Sequence, residues 1–209
     1  MESEIYTEPG INPGNRYLRL LKSYVNLKHL DYGCGTGCLA RQIAHHISAY
    51  VLAHDTPAII EQIPDDMKDR EWIYYSDEFP SSSCIEWGPP YYSASLKFIL
   101  HHDPWALSLV HSMMEKDGII GVLDYDMKGI SEEEFRRLFS TDKELLELKR
   151  IGFEEAKQLH TSMGLDDCLK EAEKLGMETI HQEQFPPKFY IWLGRTTKPF
   201  DYCAHRGPW

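Results

Sequence analysis

Three glycines at alternate positions predict a turn that binds a ligand through its backbone. In the stretch "LDYGCGTGCLA", Asp31 is followed by Gly33, Gly35 and Gly37, and an apolar segment precedes them. Glycine adopts positive φ at little steric cost, and it lets a ligand approach the main chain where any other residue would present a Cβ atom. The spacing, with an acidic residue before it, is therefore typical of a small-molecule crevice.

The elements around this turn follow a regular alternation. Helical patterns separate the predicted strands, which lie at 27–32, 49–55, 71–75, 95–100, 119–126, 177–184 and 188–196. Such an order predicts an α/β fold with a Rossmann-like, doubly wound, mostly parallel seven-stranded sheet. Ligands bind to sheets of this kind at the carboxyl ends of the strands, which is where the glycines lie.

Capping residues predict where several helices begin and end. Asn15 is a candidate N-cap for the first helix, and Thr56 before Pro57 predicts the start of the helix after the second strand. Asp103 and Gly118 predict the limits of a helix between the fourth and fifth strands.

A long helical stretch interrupts the alternation after Asp126. It contains capping-box sequences that begin at Ser131 and Thr141, and it ends at Gly176. Neither an internal repeat nor a low-complexity linker accompanies it. We therefore predict a single domain over residues 1–209 with a helical insert at 131–176, after the fifth strand.

Composition and charge exclude several classes of protein. The 42% hydrophobic and 26% charged residues are typical of a globular domain, and no apolar run reaches the ~20 residues of a membrane span. The formal net charge of −11 and the lack of clustered Lys and Arg disfavour nucleic acid as a partner. We expect a cytoplasmic protein, since the first residues lack signal-peptide features, and a small-molecule partner.

The cysteines do not form a recognisable framework. They lie at positions 34, 38, 84, 168 and 203, which is neither a disulfide pattern nor the spacing of a metal site. We expect reduced thiols and no bound metal.

The segment "LDYGCGTGCLARQIA" resembles motif I of the class I S-adenosylmethionine-dependent methyltransferases. The segment "FILHHDPWALSLVHSMMEKDGIIGVLDY" resembles the fourth strand, helix, glycine turn and fifth strand of the same family, so the resemblance runs from about residue 26 to 195. It implies S-adenosylmethionine as cofactor. Asp55, which lies 18 residues after Gly37 at the end of the second strand, matches the family's ribose-binding acid, and Asp77 after the third strand matches its adenine contact. The implied cofactor-binding residues are Asp31, Gly33, Cys34, Gly35, Thr36, Gly37, Asp55, Thr56 and Asp77.

The implied reaction is methyl transfer to a small-molecule acceptor. The leaving group of a sulfonium is already activated, so the protein mainly aligns the nucleophile with the methyl carbon. A general base is needed only if the acceptor loses a proton. Candidates at the ends of the fourth and fifth strands include Asp103, Asp124 and Asp126, and we single out His101, His102 and Tyr125. The insert at 131–176 follows the fifth strand and is a candidate lid over the acceptor.

Other functions stay open on the sequence alone. "GPPYY", residues 88–92, is similar to the Asn/Asp-Pro-Pro-Tyr motif of amino N-methyltransferases of proteins or nucleobases, although Gly88 replaces the amide and a rigid solvent loop is an alternative. An NAD-dependent oxidoreductase is disfavoured by the GxGxG spacing. A non-catalytic cofactor-binding subunit is a further alternative. Arg16 and Arg19 are candidates for contact with an anionic acceptor.

Overall fold

Seven strands form one sheet in the computed structural model, which describes residues 12–47, 49–68, 71–78, 88–138, 152–159, 163–185 and 188–200. The strands are β1 Lys28–Tyr32, β2 Tyr50–His54, β3 Ile73–Ser76, β4 Tyr91–Lys97, β5 Met114–Tyr125, β6 Glu178–Phe185 and β7 Phe189–Arg195. The described helices are α1 Pro13–Lys22, α2 Cys38–Ile47, α3 Pro57–Ile60, α4 Asp65–Lys68, α5 Ala106–His111, α6 Glu132–Leu138, α7 Phe153–Leu159 and α8 Leu165–Lys174.

The strand order is β3-β2-β1-β4-β5-β7-β6, and β7 runs in the direction opposite to the other six strands. The predicted seven-stranded, mostly parallel sheet is therefore confirmed. Tyr32 at the end of β1 pairs with His54 of β2 on one side and Leu96 of β4 on the other. This register places the carboxyl ends of three strands at the same edge of the sheet, where parallel sheets bind ligands.

Helices cover both faces of the sheet, as expected of a doubly wound fold. In β5, Ile120 and Val122 join a core cluster with α5 and α8, whereas Ile119 and Leu123 join the opposite cluster with α1 and α2. The alternation follows from the period of two along a strand, because successive side chains point to opposite faces. The sheet is therefore packed between two apolar clusters, one on each face.

The prediction for β4 was wrong by four residues at its start. The strand runs from Tyr91 to Lys97, not over 95–100. Its middle carries the buried hydroxyls of Ser93 and Ser95, which break the apolar pattern that sequence reasoning follows. Phe98 then adopts φ +58 and ends the strand.

The predicted helix between Asp103 and Gly118 was also too long. Helix α5 covers only Ala106–His111, and β5 begins at Met114, so Gly118 lies inside a strand. Asp103 is not the cap of this helix, because the helix begins later and Trp105 is its N-cap; the Asp103 carboxylate accepts from the Trp105 amide at 3.0 Å in the turn before the helix.

The other helix signals had mixed outcomes. The first helix begins earlier than predicted, at Pro13, and Asn12 is its N-cap, accepting from the Asn15 amide at 3.1 Å. Thr56 is the N-cap of α3 as predicted, although its side chain makes no cap bond. The capping box at Ser131 is confirmed by reciprocal bonds with Glu134. The capping-box prediction at 141 lies outside the described residues.

The insert between β5 and β6 contains α6, α7 and α8, so the predicted helical insert is present. Its last helix, α8, buries Leu165, Cys168 and Ala172 in the core cluster on one face of the sheet. Among the helices of the described ranges, none combines the length and the apolar character of a membrane span.

Candidate active site

The glycine turn joins β1 to α2, and all three glycines have positive φ, as predicted. The angles are +74° at Gly33, +54° at Gly35 and +72° at Gly37. A Cβ atom at Gly33 would meet Ile99, and one at Gly37 would overlap Tyr75, whereas one at Gly35 meets no protein atom within 4 Å. Gly35 is therefore the glycine that leaves the backbone open to a ligand. The other two allow close packing of the turn against its neighbours.

Asp55 is hydrogen-bonded to this turn. Its Oδ2 accepts from the Gly35 amide at 2.8 Å, and its Oδ1 accepts from the Thr56 amide at 2.7 Å. The carbonyl of His54 accepts from the amides of Gly33 and Cys34 at 2.9 and 3.0 Å. An ionised carboxylate offers about four acceptor positions, so about two stay available for the hydroxyls of a ligand.

Asp31 lies in β1, just before the turn, with 1% of its surface exposed. Its Oδ1 accepts from the Ser95 hydroxyl at 2.6 Å, and its Oδ2 has no hydrogen-bond partner among the described residues. Burial raises the pKa of Asp31 from 3.8 to about 6, although Ser95 and Lys97 act in the opposite direction. An orphaned carboxylate oxygen in a buried place suits a cationic donor from a ligand.

A chain of buried polar groups continues from Asp31 along β1 and β4. The Nε2 atom of His29 lies 2.9 Å from the Ser95 hydroxyl, and its Nδ1 atom lies 2.9 Å from the Ser93 hydroxyl. Burial lowers the pKa of His29 to about 3, so the ring is neutral at physiological pH. These contacts tie β4 to β1 beneath the turn.

The raised pKa of Asp31 predicts a pH dependence of stability. Between pH 3.8 and about 6 the folded state binds more protons at Asp31 than the unfolded state, so stability falls as pH rises through this window. Between about pH 4 and pH 7, we expect the free energy of unfolding of the parent protein to fall by about 3 kcal/mol relative to that of Asp31→Asn. Urea unfolding of both proteins across this range measures the difference. Parallel curves for the two would contradict the prediction.

The remaining predicted cofactor residues surround the turn. Cys34 is buried, its Sγ atom lies 3.7 Å from the Gly35 carbonyl oxygen, and burial raises the pKa of its thiol. Thr36 is exposed, and its carbonyl accepts from the Arg41 guanidinium at 2.8 Å. Asp77 is exposed just beyond the end of β3, at the same edge of the sheet.

A second polar cluster lies at the ends of β4 and β5. His101 and Asp124 are buried, and His101 Nδ1 lies 2.5 Å from Asp124 Oδ1. Asp124 also accepts from the amides of Leu100 at 2.6 Å and Tyr125 at 2.7 Å. Because a carboxylate only accepts, Nδ1 of the neutral ring carries the hydrogen and Nε2 carries the lone pair.

The structure brings the three predicted catalytic residues together. The ring centres of His101 and His102 are 4.0 Å apart, and those of His101 and Tyr125 are 5.1 Å apart. His102 is exposed, whereas Tyr125 is partly buried and stacks on Phe98 with 4.8 Å between ring centres. Asp124, which the sequence placed among the candidates at the end of the fifth strand, contacts His101 Nδ1 and orients that ring.

An open cleft of about 190 Å³ lies between α1 and the carboxyl end of β4, and we call it the α1–β4 cleft. Its walls include the amide side chains of Asn12, Asn15 and Gln42 with Tyr17, Lys97 and Phe98. The φ of +58° at Phe98 is strained for a bulky side chain, at about 1–2 kcal/mol. Sequence reasoning missed Lys97, because the predicted fourth strand placed it in mid-strand.

Two other sequence candidates do not contribute to this cluster or to the walls of the cleft. The segment "GPPYY" precedes and begins β4, and since β4 is parallel to β1, it lies at the sheet edge opposite the glycine turn. Tyr91 of this segment is buried in the strand, so the solvent-loop interpretation was wrong for it. Arg16 is engaged in an ion pair with Glu183 of β6 at 3.0 Å, and Arg19 is exposed.

Comparison with solved structures finds the same fold in methyltransferases. The N-methyltransferase NodS from Bradyrhizobium japonicum matches 88% of this chain and 94% of its own, with 14% identity and a TM-score of 0.59. An S-adenosylmethionine-dependent methyltransferase from Mesorhizobium loti matches 89% and 98%, with 17% identity and a TM-score of 0.63. A 1,6-didemethyltoxoflavin-N1-methyltransferase from Burkholderia thailandensis, solved with 1,6-didemethyltoxoflavin and S-adenosylhomocysteine, matches 89% and 79%, with 14% identity and a TM-score of 0.61.

At these identities the likeness concerns the fold. The chain has the Rossmann-like fold of class I methyltransferases, which confirms the fold that the resemblance of its sequence implied. No protein-family model matches the chain, and no curated protein sequence matches it.

Proposed function

We propose that the protein is an S-adenosylmethionine-dependent methyltransferase acting on a small molecule. The observation that carries the proposal is the arrangement at the ends of β1 and β2. The open backbone of Gly35 is bonded to Asp55 there, and Asp31 Oδ2 has no hydrogen-bond partner within the described part of the chain. S-adenosylmethionine supplies an activated methyl group on a sulfonium. A ribose diol fits the free acceptor positions of Asp55, and the methionine ammonium fits Asp31.

His101 is the proposed proton acceptor for a substrate that must lose a proton. Asp124 is a positioning residue, because its bond to Nδ1 fixes the ring and leaves the lone pair on Nε2. Tyr125 is proposed to contact the acceptor, because its ring lies between His101 and Phe98, which lines the cleft. His102 is proposed as an exposed neighbour that accepts the proton in turn.

Titration calorimetry with S-adenosylhomocysteine and NAD tests the cofactor proposal. We expect binding of S-adenosylhomocysteine and none of NAD. Asp55→Ala removes an acceptor of charge-assisted hydrogen bonds worth about 1.5–3 kcal/mol, so it weakens binding by about tenfold or more. Asp55→Asn is the matched control. It keeps one oxygen acceptor, so its affinity for S-adenosylhomocysteine should fall less than that of Asp55→Ala. A preference for NAD would favour the oxidoreductase, and binding without any methyl transfer would favour a non-catalytic subunit.

The amino N-methyltransferase alternative has a weaker basis than the small-molecule proposal. Its motif-like segment lies at the edge of the sheet away from the glycine turn. The amine-binding role would need residues at the carboxyl end of β4, where Lys97 and Phe98 lie instead.

We also propose that the first part of the insert covers the acceptor. Helices α6 and α7 pack on a small cluster of Met127, Ile130, Phe135 and Ala156 that adjoins Tyr125. Helix α8 belongs to the main core, so the proposed lid is confined to the part of the insert before it.

Hydrogen exchange distinguishes a lid from a fixed decoration. We expect the glycine turn to gain protection when S-adenosylhomocysteine binds, because its amides are covered. Helices α6 and α7 should gain protection mainly when a fragment that binds this complex is added as well, because lid closure excludes water. Equal protection of α6 and α7 in all three states would contradict the lid.

A further inference from the structure

The charge of the α1–β4 cleft is opposite to that of the whole protein. The chain carries a formal net charge of −11. Among the described residues that line the cleft, however, Lys97 is the one charged side chain, and the other polar groups include the amides of Asn12, Asn15 and Gln42. An anionic ligand would meet one cation and neutral donors there, and the described part of the lining includes no carboxylate that would repel it.

Lys97 has no acidic partner within the described ranges. Its ammonium lies 5.5 Å from the centre of the Phe98 ring, which is a cation–π arrangement. None of the ion pairs formed between described residues includes it. The positive charge of Lys97 lowers the pKa of nearby Asp31, but that carboxylate is buried and bonded to Ser95. A partly buried ammonium without a counter-ion is stabilised by an anion from outside.

The position of Lys97 places this charge beside the proposed cofactor site. Leu96 pairs with Tyr32, the residue before Gly33, so Lys97 follows at the edge where the glycine turn begins. Cys38 at the start of α2 lines the same cleft. The volume of about 190 Å³ is below the ~300–1,000 Å³ of pockets for drug-sized ligands, which favours a small molecule.

We propose that Lys97 binds an anionic group of the methyl acceptor, whose apolar part lies against Phe98. The acceptor would then be a small anionic molecule, such as an aromatic carboxylate. This inference rests on the proposed function and names the substrate class of the same site. The cofactor also carries a carboxylate, so the experiment has to separate the two sources.

Benzoate and benzamide are suitable probes, because they have nearly the same shape and differ in charge. Each is titrated into the complex with S-adenosylhomocysteine and followed by ligand-observed NMR. We expect benzoate to bind at least about tenfold more tightly than benzamide. Lys97→Gln should abolish this preference, and Lys97→Arg should keep it. Lys116→Gln, an exposed lysine on β5, is the control for net charge and should leave the preference unchanged.

A second titration identifies the source of the anion. S-adenosylhomocysteine carries the amino-acid carboxylate, and 5′-methylthioadenosine lacks it. We expect Lys97→Gln to leave the affinity for both compounds within about twofold of the parent. If the variant weakens S-adenosylhomocysteine by about tenfold and leaves 5′-methylthioadenosine unchanged, Lys97 serves the cofactor and the inference is overturned.

The inference and the proposed function fail in different ways. A parent protein that does not bind S-adenosylhomocysteine contradicts the proposed function. A protein that binds it, but that binds benzoate and benzamide equally, contradicts the assignment of an anionic acceptor alone. The same holds if Lys97→Gln keeps the preference for benzoate.

Discussion

Gly35→Val is expected to lower the affinity for S-adenosylhomocysteine by at least about 100-fold. The Gly35 backbone has φ +54°, and no protein atom lies within 4 Å of the place that a Cβ would take. A valine there puts three carbon atoms into the space where the proposed ligand meets the main chain. It also strains a left-handed backbone, by about 1–2 kcal/mol or more for a β-branched residue. Titration calorimetry measures the affinity, and thermal unfolding measures the strain.

Gly129→Val is the matched control for the strain. Gly129 has φ +65° and is exposed between β5 and α6. A Cβ atom added there would have no heavy atom within 4 Å. Both variants should therefore lose similar stability, while Gly129→Val binds S-adenosylhomocysteine within about twofold of the parent. Equal loss of affinity in the two variants, or none in Gly35→Val, would mean that the ligand does not approach Gly35.

Asp124→Ala is expected to lower the free energy of unfolding by about 3–5 kcal/mol. The carboxylate is fully buried, and it accepts from His101 Nδ1 and from the amides of Leu100 and Tyr125. Alanine would leave these donors buried without partners. The amide of Leu100 belongs to a buried residue in the turn after β4, and that of Tyr125 belongs to the last residue of β5. Urea unfolding monitored by circular dichroism measures the change.

Asp126→Ala provides the comparison within the same segment. Asp126 is only partly buried, and its Oδ1 accepts a long 3.4 Å bond from the Lys128 amide. We expect a loss below about 1 kcal/mol, as for surface polar groups. If both variants were equally stable, the Asp124 network would contribute little, and the positioning role proposed for it would lose its basis.

The sequence correctly predicted that the glycine turn and Asp55 lie at one edge of the sheet, because local rules decide this arrangement. A short apolar strand followed by glycines must end in a turn, and parallel strands bring their carboxyl ends to one edge, so Asp55 and the glycines had to meet. What each glycine faces could not be predicted. Ile99 and Tyr75 fill the space at Gly33 and Gly37, and they come from distant parts of the chain.

The fourth strand shows where local patterns fail. Its buried serines are satisfied by His29 of the neighbouring strand, so tertiary contacts compensate for polar residues that a hydrophobic pattern excludes. The strand also ends three residues earlier than predicted, at residue 97 instead of residue 100, and this error hid the position of Lys97 at the strand end.

The hydrogen bonds among the buried polar groups of β1 and β4 all run in one donor-to-acceptor direction, which follows from the number of hydrogens that each group can donate. Ser95 has one hydroxyl hydrogen and gives it to Asp31, so its contact with His29 must use the hydrogen on Nε2. The neutral ring then accepts at Nδ1, which obliges the Ser93 hydroxyl to donate. All three dipoles therefore point toward the carboxylate and polarise one another. The negative charge of Asp31 is stabilised from as far away as Ser93, and a change at that distant end alters the electrostatics beneath the glycine turn.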